Sequence, residues 1–111
     1  MNFEEFLEKA RNIKEQYAQL NIVKGEQRWG YVNRTEALVG DVGDLMKMVM
    51  AKAGYREFPD LEKNLRHELV DCLWAIFVIS DELGIRLENE VTPWLAEMQD
   101  KIIKEKQKTS K

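Results

Sequence analysis

Apolar residues recur at helical spacing along almost the whole of this 111-residue chain, and no segment sustains the every-second-residue alternation of a half-buried strand. The first stripe, Phe3, Phe6, Leu7, Ala10, Ile13, Tyr17 and Leu20, predicts a helix over residues 2–20. Asn2 and Glu5 fit a capping box at its start. Gly25 and Gly30 interrupt the pattern, so 21–31 reads as a connection. A second helix is predicted from Asn33, with Glu36 in capping-box position, to just before Gly54. Leu38, Val42, Leu45, Met46 and Val49 form its expected core stripe. Pro59 and Asp60 open a third helix, with Asp60 as N-cap and Gly84 as the stop. The fourth starts near Leu87 and continues through Trp94, Leu95, Met98, Ile102 and Ile103. Pro93 has no N–H and its ring crowds the preceding turn, so a kink or a restart capped by Thr92 is expected there.

The chain is therefore read as all-α, a four-helix antiparallel bundle. Residues 69–79 are apolar nearly all round except at Asp71, which calls for cover on several sides, by the bundle and by a second subunit. A hydrophobic fraction of 44% with 33% charged residues is ordinary for a soluble domain and argues against disorder. One domain over 1–105 is expected, with 106–111 as a basic, disordered tail. The longest apolar run, 72–79, is too short to cross a bilayer. A net charge of -3 gives no general attraction to a nucleic acid polymer. The chain opens on acidic residues where a secretory leader is basic, and the single Cys72 reads as a reduced, buried thiol. A cytoplasmic location is the expectation.

The candidate chemistry lies in two acid pairs, Asp41 with Asp44 and Glu68 with Asp71. Residues three apart share a helix face. In an antiparallel hairpin the two arms from these pairs to the intervening loop are nearly equal, so all four acids come to one level. Unit charges about 5 Å apart repel by roughly 3 kcal/mol at an effective dielectric near 20, so a converging cluster needs a cation. Oxygen-only ligands suit Mg2+, with Mn2+ possible. Asp41, Asp44, Glu68 and Asp71 are the candidate metal ligands. The alternative on the residues alone is a solvated acidic face. Against it stands Asp71, placed in the most apolar stretch of the chain. A di-iron bundle would require Glu-x-x-His motifs on two helices, whereas His67 directly precedes Glu68 and points about 100° away.

At these residues the sequence resembles a known family. Asp41-x-x-Asp44 followed by His67-Glu68-Leu-Val-Asp71-Cys-Leu-Trp74 is similar to the pattern of the MazG-like all-α nucleoside triphosphate pyrophosphohydrolases, Glu-Glu-x-x-Glu and then Glu-x-x-Asp. The run Ile79-Ser-Asp-Glu-Leu-Gly84-Ile resembles the end of that family's third helix. The resemblance implies Mg2+-dependent cleavage of a nucleoside triphosphate to monophosphate and pyrophosphate. It makes Asp41, Asp44, Glu68 and Asp71 the catalytic metal-binding acids, and it implies a homodimer or homotetramer with the site near subunit contacts. The chain departs from the pattern at Gly40, where the family has its first Glu, and the next two acids are shortened to Asp. An aromatic is replaced by Ala75, and the Lys and Asn of the last helix by Trp94 and Met98. These departures leave a second reading open, a helical oligomer of the same type that binds metal or nucleotide without turnover.

Three further residues are candidates for substrate binding: Trp29 for stacking on a base, Lys47 for phosphate and Arg66 for phosphate. Each has a plainer alternative, which is packing for Trp29, an ion pair with Asp44 for Lys47 and solvation for Arg66. Trp74 shares a face with Asp71 and reads as core, with a pocket wall as the alternative, and Met46, Met48 and Met50 read as core plus oligomer contact.

Overall fold

The structure, a computed structural model, describes residues 1–25 and 30–110. Four helices occupy most of them: α1 (Phe3–Val23), α2 (Tyr31–Lys52), α3 (Leu61–Glu82) and α4 (Leu87–Thr109). No strand occurs among the described residues, so the all-α reading holds.

The termini follow local chemistry. Asn2 caps α1, its Oδ1 accepting from the Glu5 N–H at 2.8 Å. α2 begins two residues earlier than expected. Gly30 occupies the cap, and Asn33 stands a turn further in, its Oδ1 accepting from the Gly30 N–H at 3.3 Å. Asp60 precedes α3 as expected but in the left-handed region, φ 48, with no side-chain cap bond. Asn64 stabilises the entry instead, Nδ2 donating to the Pro59 carbonyl at 2.9 Å. α2 and α3 end on Gly54 and Gly84, at φ 89 and φ 73. In each case the next N–H turns back onto the helix, Tyr55 to the Met50 carbonyl and Ile85 to that of Ser80, both at 2.9 Å.

α4 corrects two expectations. It runs unbroken through Pro93, so the restart at Thr92 does not occur, and Pro93 has no N–H to give the Asn89 carbonyl. It also continues through Lys106 to Thr109, so most of the segment assigned to a tail is helix, exposed throughout.

α2 and α3 form an antiparallel hairpin packed along its length, and α1 lies against α3. The core is small: Leu7, Ala10 and Ala18 from α1, Met48 from α2, and Cys72, Ala75, Phe77 and Val78 from α3. Phe3 and Phe6 close over the Phe77 ring, with centroids 5.0 and 4.8 Å away. Two adjacent acids near the end of α3 tie in α1 and α2. Asp81 accepts from Arg11 Nε at 2.6 Å and from Lys14 Nζ at 2.8 Å, while Glu82 accepts from Arg34 Nε at 3.0 Å.

Much of the apolar pattern stays uncovered. On α2, Val42, Met46 and Val49 are about half exposed, and Met48 takes the core place expected for them. Leu69, Leu73 and Ile76 of α3 are likewise half exposed, as are Ile13, Tyr17 and Leu20 of α1. The reason is geometric. A three-helix contact covers only one sector of each helix, whereas these stripes span two. Among the described residues no helix is long and apolar enough to cross a membrane.

Candidate functional site

Hairpin register brings the two acid pairs together. Asp44 stands eight residues before the end of α2 and Glu68 seven after the start of α3. Glu68 is buried, Asp41 and Asp71 are half-buried and Asp44 is exposed. The Glu68 side chain aims inward and its Oε1 is buried without a hydrogen-bond partner. Its affinity for a proton is raised, first by burial, then by the negative charges of Asp41, Asp71 and Asp44, and last by hydrogen bonding with Asp41 that favours the neutral acid. All three other acids therefore act on Glu68, and Asp41 is its closest associate.

The outer acids are turned toward residues of their own helices. Asp71 Oδ2 lies 3.2 Å from His67 Nε2, and Asp44 Oδ1 lies 3.8 Å from Lys47 Nζ. His67 is thus a neighbour of the acid cluster, as its spacing suggests. Among the described residues no three His, Cys, Asp or Glu side chains are arranged to hold a metal ion. The four acids offer oxygen donors only, the type a hard cation takes, and one Glu68 oxygen has no hydrogen-bond partner.

Cys72 adjoins the cluster from the core side. Burial, followed by the charges of Glu68, Asp41 and Asp71, pushes its thiol above the ordinary value, which disfavours the reactive thiolate.

The candidate substrate-binding residues fall differently. Lys47 makes the ion pair with Asp44. Arg66 is well exposed and lies 3.8 Å from Glu62, which also pairs with Lys52. Trp29 lies outside the described residues. One group escaped the sequence reading. Trp74, one turn beyond Asp71, meets the Tyr17 ring edge-on at 6.2 Å, and the Arg34 guanidinium sits 5.7 Å over the indole. Its Nε1–H is buried without an acceptor. Only the tertiary arrangement joins these three residues, since each belongs to a different helix.

Gly40 and Gly43 bracket Asp41 on α2, and a Cβ on either would meet nothing within 4 Å. Open space, not close packing, surrounds the position where the MazG-like pattern has its first Glu. No family model, curated protein or solved structure matches the chain.

Proposed function

We propose that this chain is a Mg2+-dependent nucleotide pyrophosphohydrolase, cleaving a nucleoside triphosphate to the monophosphate and pyrophosphate. One observation supports this reading above the others: a buried glutamate, Glu68, with an unpartnered oxygen, beside Asp71 on its own helix and opposite Asp41 and Asp44 across an antiparallel hairpin. A solvated acidic face has no reason to bury one of its members. Isolating a carboxylate among like charges costs several kcal/mol, a cost that binding offsets when a cation fills the site.

Asp41, Asp44, Glu68 and Asp71 would hold Mg2+, or Mn2+ in its place, once Asp71 and Asp44 exchange His67 and Lys47 for the ion. The ion would supply charge neutralisation at the phosphate chain and a more acidic bound water. The protein's own part is to fix the acids on two packed helices and to keep bulk water off Glu68. Lys47, released from Asp44, would be free to approach phosphate, with Arg66 further out and Trp29 available to a base. A homodimer or homotetramer would cover the exposed stripes of α2 and α3 next to the site, in a cytoplasmic protein.

The test is a panel of ribo- and deoxyribonucleoside triphosphates incubated with Mg2+ or Mn2+, with pyrophosphate and monophosphate measured. Release from at least one substrate is expected, lost with chelator and reduced roughly 100-fold or more by Asp71→Asn. One observation favours the second reading, a non-catalytic oligomer that binds metal or nucleotide: Gly40 puts no side chain into the space around it. Nucleotide binding that depends on Mg2+, with no product from any substrate, would select that reading.

A further inference from the structure

α4 is a 23-residue helix with no buried residue. Val91, Leu95, Met98 and Ile102 succeed one another at intervals of four, three and four, so they share a face, and Trp94 lies beside them. Val91, Trp94, Leu95 and Ile102 are 40%, 57%, 55% and 50% exposed. In proteins most of a helix's stability comes from packing its apolar face.

The whole molecule repeats the point. A folded monomer of this mass exposes roughly 6,400 Å², whereas this chain exposes 8718 Å². The excess, about 2,300 Å², is well above the roughly 800 Å² that each partner contributes to a standard interface. Charge then chooses the orientation. The first half of α4 carries Glu88, Glu90 and Glu97 and no Lys or Arg, although Arg86 lies 3.9 Å from Glu88 and Lys101 3.5 Å from Glu97, and the second carries Lys101, Lys104, Lys106 and Lys108 with Asp100 and Glu105. Parallel pairing of two such helices sets like charges and like dipole ends together, and antiparallel pairing opposes them.

We propose that α4 pairs antiparallel with the α4 of a second copy of this chain, about a twofold axis passing between Ala96 and Glu97. In this register Val91 meets the partner's Ile102 and Leu95 meets the partner's Met98, and each contact recurs across the axis. That is the layer pattern of an antiparallel two-helix coil. Trp94 comes level with the partner's Gln99. Lys104 and Lys106 lie one residue off level from the partner's Glu90 and the partner's Glu88, and Glu88 itself comes level with the partner's Glu105. The pairing rests on the self-association proposed above and is independent of the acid cluster.

Cysteine cross-linking in a Cys72→Ala background tests it. Val91→Cys and Ile102→Cys proteins, oxidised separately, are expected to stay uncross-linked, and a mixture of the two to yield a disulfide-linked heterodimer. In sedimentation the wild-type chain is expected as a dimer or larger. Leu95→Lys with Ile102→Lys should weaken association about 100-fold or more, with the helical circular dichroism of the α2–α3 hairpin retained. Cross-linking of either single variant with itself would mean parallel helices and overturn the proposal. A wild-type dimer with no cross-link in the mixture would overturn this pairing while leaving self-association intact. A wild-type chain that sediments as a monomer would overturn both.

Discussion

Two acids of α3 experience opposite electrostatics. Burial alone would push Asp81 up, but hydrogen bonds from Lys14 and Arg11, with their charges, outweigh it and hold Asp81 below its ordinary value. Its contribution to stability is present above the unfolded-state pKa and is lost as pH falls through the lower folded value. Glu68 behaves in reverse. Its folded pKa is raised, so ionisation penalises the native state above that value, and the penalty is relieved as pH falls through it toward the unfolded value. Without metal, stability is therefore expected to rise on mild acidification and to fall on strong acidification, which thermal melts across a pH series would resolve. Glu68→Gln should raise the metal-free Tm at neutral pH and remove any Tm increase caused by Mg2+, because ligand linkage needs the site. Asp81→Asn leaves the buried Lys14 unpaired, and a loss of about 3 kcal/mol is expected in urea unfolding. Glu68 was legible in the sequence as an acid in register with its partners. That Glu68, more than Asp71, would be the buried one was not, because burial depends on the angle at which α2 meets α3.

At the scale of elements, periodicity and punctuation located all four helices to within a few residues, and Asn2, Gly54 and Gly84 act as the sequence suggests. The exceptions share a cause: a local signal was overridden by a neighbouring one. Gly30 took the α2 cap because Asn33 can reach back to it from inside the helix. Pro93 did not divide α4, since the helix loses a single bond there and continues on good helix formers for sixteen further residues. Pro93→Ala is accordingly expected to stabilise the chain, by up to about 3 kcal/mol in denaturant titration. The interior glycines of α2 make a sharper test. With open space at Gly43, Gly43→Ala should add roughly 1 kcal/mol of stability from helix propensity alone. Gly40→Glu should add a similar amount and bring a further acid beside Asp41, so on the proposed function tighter Mg2+ binding by calorimetry is also expected.

At the scale of the molecule, a radius of gyration of 18.3 Å and extents of 65 × 39 × 27 Å describe an elongated chain, where a compact one of this size would have a radius near 13 Å. The excess of apolar positions was visible in the sequence, most clearly along α3. Which faces would be left uncovered was not, since that depends on α4 projecting away from the other three helices. Thermal stability is expected to rise with protein concentration, because association linked to folding makes Tm concentration-dependent.

Asp81 and Glu82 sit side by side, yet one restrains α1 and the other α2. Neutralising both would release α1 at one end, while the α2–α3 loop keeps the hairpin joined at the other. The chain would then come apart in sequence rather than all at once, and amide exchange at low pH should reach α1 well before the centre of α3.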